Sequence, residues 1–297
     1  AFKLLHMWFY DEPQARRFME WCQASRVTVI RVGAMALHLF QLYPAEGRSA
    51  LASLLNEAEA LGLYVEIVGR LDTASYPDVD LREHVRQVNE IALAHPNMLL
   101  EVANEPRHPT QNRLLTPSVL ADYVGQYPNI IPTALGAPLD SDDENDEYAR
   151  AGGNYFTIHS NRSDDEDGWK WVRHTKEIWD MMPRVRKYGV NDEPKRSDLR
   201  ADRHFALGAL ARILGIGDTF HYADGRFASP PVGAELAAFE ARRRGWESIP
   251  DDFWGQFYNT GWQGSPVQSF VGANRMYSAF QAHTGLVYTI VLDRQNH

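Results

Sequence analysis

Short apolar runs rich in Val, Ile and Leu alternate along this chain with longer stretches whose apolar residues recur every three or four positions. The first kind has the length and character of a buried strand, and the second has the period of an amphipathic helix. Strands are expected at Lys3–Trp8, Val27–Val32, Leu63–Val68, Met98–Ala103, Asn129–Thr133, Asn154–His159, Lys187–Asn191 and Thr219–Tyr222. Between them "DEPQARRFMEWCQAS", "GRSALASLLNEAEALG", "DLREHVRQVNEIALAH", "WKWVRHTKEIWDMM" and "SDLRADRHFALGALARIL" read as helices. Such alternation marks βαβ units with parallel strands. Eight of them predict an α/β chain closed into a (β/α)8 TIM barrel. An open doubly wound sheet is the competing architecture, but no Gly-rich phosphate loop follows any strand.

The barrel is expected over residues 1–248. Residues 249–297 form an extension rich in Trp, Tyr, Phe and Gly, expected to pack on the barrel as a last helix with an edge strand, or to begin a trimmed β-region. There is no internal repeat, low-complexity tract or interdomain linker. The chain starts inside an apolar segment and ends just after a strand-like run, as expected of a piece trimmed from something longer.

At 297 residues, with 44% hydrophobic and 23% charged residues, the chain can bury a large core as a single domain. A net charge of −9 lacks the positive field that nucleic acid requires, so that partner is excluded. No run is long and apolar enough to span a membrane, and no signal peptide opens the chain. A secreted or periplasmic location is nevertheless the one favoured. The single cysteine, Cys22, falls in a predicted helix and reads as a small buried side chain.

In a barrel the active site lies at the C-terminal ends of the strands, so the polar residue after each apolar run is the one to inspect. These are Arg31, Arg70, Asn104 with Glu105, His159, Asp192 with Glu193, and His221 with Tyr222. Two glutamates close strands three βα units apart, in "LLEVANEPR" and "YGVNDEPKR", and each is followed by a proline that turns the chain outward. Paired carboxyls suit glycoside hydrolysis. One protonates a poor leaving oxygen while the other attacks the anomeric carbon from the opposite face.

These residues resemble those of clan A glycoside hydrolases, above all the cellulase-like family 5, over roughly Val27 to Tyr222. The resemblance implies a retaining β-glycosidase with Glu105 as acid/base and Glu193 as nucleophile. It also implies that Asn104 holds the sugar 2-hydroxyl and that Arg31, in "VIRVG", braces the nucleophile. His159, in "FTIHSNR", is similar to the family's strand-six histidine. Two positions depart from the pattern: "VEIVGRLD" has no strand-three histidine, and "TFHYADG" replaces the strand-eight tryptophan, with Tyr222 standing in as a sugar platform. Both departures bear on the substrate.

The substrate is expected to be an oligo- or polysaccharide, and no cofactor is required. Trp8, Tyr10, Trp169 and Tyr222 are candidates to stack on a pyranose. Arg70, Arg107, Arg162 and Arg196 collect near the rim, so Arg70 and Arg162 are candidates to read an acidic sugar. Asp192 replaces Glu193 as the functional acid if the strand register slips by one. Glu66 and Glu101 lie inside strands and need buried partners, an ion pair being the better reading for Glu101. Two other functions stay open: a catalytically silent carbohydrate-binding barrel, and a metal-dependent hydrolase using His159, His221, Asp72 and Asp192. Tight ligand spacing for a metal is missing, so none is assigned.

Overall fold

In the computed structural model of the protein the described residues are 3–34, 44–75, 79–111, 115–125, 131–138, 142–159, 178, 180–193, 199–221 and 228–250, with the backbone of 268–271, 275–281 and 287–293. Among the described residues seven parallel strands form two arcs. The first holds β1 (Val29–Gly33), β2 (Tyr64–Val68), β3 (Met98–Glu101) and β4 (Thr133–Ala134) in that order, and the second holds β5 (Tyr155–Ile158), β6 (Tyr188–Asn191) and β7 (Gly217–Asp218). The arcs meet where Asn154 N donates to Thr133 O at 2.8 Å and Thr133 N donates to Asn154 Oδ1 at 2.6 Å. They meet again across the centre, where Arg31 of β1 reaches Glu193 beyond β6. The architecture is an α/β barrel. Beyond their first residues, β1 and β2 are buried without interruption, as strands covered by helices outside and side chains inside must be.

Helices α1 (Leu4–Tyr10), α2 (Glu12–Ala24), α3 (Pro44–Ala60), α4 (Leu81–Ala92), α5 (Pro117–Gly125), α6 (Asp142–Ala151), α7 (Ala201–Leu214) and α8 (Ala234–Glu247) alternate with the strands. Their starts follow capping chemistry. Asp11 accepts from Gln14 N at α2, and Asp80 accepts from Arg82 N and Glu83 N at α4. Cys22 is buried on α2, and burial pushes its thiol up to about 12.

Two expectations need correction. Lys3–Trp8 is not a strand, because Leu4, Leu5, Met7 and Trp8 bury one helical face of α1. Leu and Met favour a helix, the segment has no β-branched residue, and Asp11 lets α2 begin directly behind it. The last parallel strand lies at Gly217–Asp218 rather than Thr219–Tyr222. Gly217 is the residue that fits there, since a Cβ would meet Val190 Cγ2 at 2.8 Å. The described part of the extension is an antiparallel sheet of β8 (Gln268–Val271), β9 (Arg275–Gln281) and β10 (Val287–Asp293), with β9 central. Among the described residues no helix is long and apolar enough to cross a membrane.

Candidate active site

Strand register builds the floor of the site. Arg31 pairs with Glu66 across β1 and β2, and Val68 pairs with Glu101 across β2 and β3. Side chains alternate along a strand, so Glu66 and Val68 share a face and Arg31, Glu66 and Glu101 all point into the barrel. Opposite them, Tyr155 Oη donates to Glu66 Oε1 at 2.7 Å and Thr157 Oγ1 donates to Glu101 Oε1 at 3.1 Å. Arg31 lies at the centre. Its Nε donates to Glu101 Oε2 at 2.9 Å, Nη2 to Asn104 Oδ1 at 2.9 Å and Nη1 to Glu193 Oε1 at 2.7 Å.

The second layer is formed by the strand ends. Glu105 follows β3 and Glu193 follows β6, and both reach His159 beyond β5. Glu105 Oε1 is 2.9 Å from His159 Nδ1 and Glu193 Oε2 is 3.8 Å from the same nitrogen. One carboxylate oxygen of each glutamate lies within 4.8 Å of the other. Asp192 Oδ1 lies 3.3 Å from His159 Nε2, an ionic contact rather than an aligned hydrogen bond. Its Oδ2 lies 3.3 Å from Arg31 Nε.

The loop carrying Asn104 and Glu105 is held by its backbone. Asn104 N donates to Arg70 O at 3.0 Å, and His108 N donates to Glu105 O at 2.8 Å in a tight turn. Gln111 Nε2 donates to the Asn104 carbonyl, while its Oε1 accepts from Thr73 Oγ1 at 2.8 Å, so one amide ties the β2 and β3 loops together. Glu105 has φ +40, a left-handed conformation that a residue preceding proline normally avoids. Strain of this kind is kept where surrounding structure enforces it, commonly at functional positions. Gly136, at φ +128, lets the β4 end pass against Ala103; a Cβ there would fall 1.9 Å from Ala103 O.

Among the described residues five carboxyl groups, on Glu66, Glu101, Glu105, Asp192 and Glu193, face two basic groups, on Arg31 and His159. Burial raises the Glu66 carboxyl, and the charge of Asp192 raises it further. Burial also raises Glu101, with Arg31 opposing and Asp192 reinforcing. Burial works against a charged His159, yet the carboxylates of Glu193 and Asp192 outweigh it and push the imidazole up to about 10. Donor spacing alone would admit an ion among Glu101, His159 and Asp192, or among Glu105, His159 and Glu193. The Arg31 guanidinium already lies against Glu101, Asp192 and Glu193, so its positive charge stands where a dication would have to fit, and we assign no metal ligand.

Solved structures share this arrangement of strands and helices. A variant of GH5_18 from Streptomyces cattleya, in complex with Manb1-4GlcNAc, is similar over 83% of this chain and 79% of its own, with a TM-score of 0.62 and 18% identity. The hyperthermostable endo-1,4-beta-D-mannanase from Thermotoga petrophila RKU-1 is similar over 82% and 97%, with a TM-score of 0.60 and 12% identity. The endo-1,4-beta-mannanase from Rhizomucor miehei is similar over 83% and 93%, with a TM-score of 0.58 and 11% identity. The fold is that of the family 5 barrel. No family model and no curated protein sequence matches the chain.

On this family 5 fold the structure brings Arg31, Asn104, Glu105, His159 and Glu193 into one cluster. Glu193 Oε1 meets Arg31 Nη1 at 2.7 Å, and Asp192 lies beside it with Oδ2 3.3 Å from Arg31 Nε. Arg70 is placed elsewhere. It is fully buried, its guanidinium lies 4.1 Å from the Tyr123 ring centroid on α5, and none of its nitrogens has a hydrogen bond. Burial pulls its pKa down, with Tyr123 opposing. The Arg70 guanidinium is thus sealed beneath Tyr123 rather than open at the rim. Arg107 pairs with Glu144 at 3.8 Å. Trp8 of α1 is buried, with Arg16 of α2 over its ring. Tyr222, Arg162 and Trp169 lie outside the described residues. The tie made by Gln111 had no signal in the sequence. The partners of Glu66 could have been sought among strand residues, because an acid inside a strand needs one.

Proposed function

We propose that this chain is a retaining β-glycosidase that cleaves its substrate by double displacement, with Glu105 as acid/base and Glu193 as nucleophile. The observation that carries the reading is the approach of the two carboxylates, with an oxygen of each within 4.8 Å of the other. Retaining sites space their carboxyls by about 5–5.5 Å, while inverting sites leave about 6.5–9.5 Å for a water. A silent binding barrel would not need the two acids so close.

In the first displacement Glu105 gives its proton to the glycosidic oxygen while Glu193 attacks the anomeric carbon. Arg31 Nη1 holds Glu193 Oε1 at 2.7 Å and fixes which oxygen stays behind. Asn104 Oδ1 is occupied by Arg31, which turns the amide so that its nitrogen is left for the sugar. In the second displacement water attacks the ester and Glu105 takes up the proton.

The substrate class we infer is a β-linked glycan containing mannose, supported by the mannanases and the Manb1-4GlcNAc complex among the similar structures. The test is hydrolysis of a panel of β-mannans, β-glucans and acidic glycans, with the first product read by proton NMR before mutarotation. Retention at the anomeric carbon is expected, and inversion would remove Glu193 from the nucleophile's role. Activity abolished by chelator would favour the metal-dependent alternative.

A further inference from the structure

His159 is held from both sides. Its Nδ1 meets Glu105 Oε1 at 2.9 Å, and its Nε2 faces Asp192 Oδ1 at 3.3 Å. Asp192 is only 2% exposed, and neither of its oxygens makes a hydrogen bond. Its partners are the charges of His159 and of Arg31, each at 3.3 Å. Double displacement, as written above, gives Asp192 no task. A buried carboxylate without hydrogen bonds is costly unless it holds a positive charge in place.

We propose that Asp192 is a positioning residue that keeps a proton on His159 Nε2, so that the ring presents itself to Glu105 as an imidazolium donating through Nδ1. The proposal rests on the two-glutamate reading. The groups that face the ring are Glu105 and Glu101 from β3 and its loop, Glu66 from β2, Asp192 and Glu193 from the end of β6, and Arg31 from β1 behind them. Among the described acids Asp192 alone comes within ion-pair distance of Nε2, at 3.3 Å, while Glu105 and Glu193 approach Nδ1.

The chemistry balances without moving a proton through the ring. In the first displacement the Glu105 proton goes to the leaving oxygen, the glycosidic bond breaks and the Glu193 ester forms. The new Glu105 carboxylate accepts the Nδ1–H of His159. In the second, water bonds to the anomeric carbon, its proton goes to Glu105, and Glu193 leaves as carboxylate. His159 keeps both protons throughout and stabilises the charge that Glu105 acquires between the two steps. The same charge favours the ionised form of Glu105 in the resting enzyme. Asp192 therefore sets the alkaline limit of activity.

The experiment compares full-length wild type with Asp192→Asn in two measurements. The first is the pH profile of kcat/KM on a β-glycoside with a poor leaving group. Its alkaline limb should move up by about one pH unit in the variant, because a neutral His159 no longer draws the proton from Glu105. An unmoved limb, or one moved toward acid as loss of a distant negative charge alone would give, overturns the proposal. The second is NMR of 15N-labelled histidine, which needs no activity. At pH 7 the His159 ring should be doubly protonated in wild type and neutral in Asp192→Asn. A neutral ring in wild type, or a doubly protonated one in the variant, overturns the proposal even if the variant is too unstable to assay. A wild type that cleaves no glycan would count against the glycosidase reading alone, and the NMR arm would still decide what Asp192 does.

Discussion

Replacing Arg31 by Met keeps much of the side-chain volume and removes the charge at the centre of the barrel. The guanidinium donates to Glu101, Glu193 and Asn104 and lies within 3.3 Å of Asp192 and 3.7 Å of Glu66. Hydrogen bonds to charged groups are each worth about 1.5–3 kcal/mol. The sum overstates the loss, because stranded carboxyls can take up protons instead. Removing one partner of a buried ion pair costs about 3–5 kcal/mol, and that is the loss expected at pH 8. Glu66 and Glu101 are already raised by burial, so at pH 5 they are protonated and need the guanidinium less. The loss should shrink there by at least about 1.4 kcal/mol, the worth of one unit of pKa. Urea unfolding followed by far-UV circular dichroism at both pH values measures it. Adding Glu101→Gln to Arg31→Met should recover more than about 1 kcal/mol, since it removes the most buried stranded acid. A loss under about 1 kcal/mol at pH 8, or an equal loss at both pH values, would refute the picture of Arg31 as the cluster's counter-charge.

Other outcomes follow from the same geometry. Glu105→Gln should slow glycosides with poor leaving groups far more than activated aryl glycosides, since only the former need the proton; equal losses would take the acid's role from Glu105. Gly136→Ala should destabilise by about 3 kcal/mol or more, because its Cβ would fall 1.9 Å from Ala103 O at a φ of +128; an unfolding midpoint equal to wild type would contradict that contact. Glu66, Glu101 and His159 all bind protons more tightly folded than unfolded. Their contribution is whole below the ordinary values of 4.5 and 6.5 and is lost as pH rises through the raised ones, so Tm should fall between pH 5 and pH 9. A Tm that climbs over that range would reverse the sign assigned to the cluster.

The chain's apolar pattern located the interior strands well, because β1, β2 and β3 are largely buried and read as short apolar runs broken only by Arg31, Glu66 and Glu101. It misread Lys3–Trp8, where a run of apolar residues too short to show its period folds as α1. Asn104, Glu105 and Glu193 stand out in sequence because each ends a strand before a proline, a local feature. The roles of Gln111, Tyr155 and Thr157 depend on which strands become neighbours across the barrel, and no local pattern encodes that. Arg70 shows the opposite failure. Its position after β2 suggested the rim, but the side chain turns beneath Tyr123, and that direction is set by packing.

The partners of Arg31 divide by distance along the chain. Glu101 lies 70 residues away and belongs to the same arc, whereas Glu193 lies 162 residues away in the other. During synthesis the first arc therefore emerges with an ion pair of its own, long before the nucleophile exists. The second arc delivers Asp192 and Glu193 together with His159, so negative charge enters the interior accompanied by its own cation. Contacts so far apart in sequence close late and slowly. Activity should appear only after that closure, behind the recovery of helical signal on refolding.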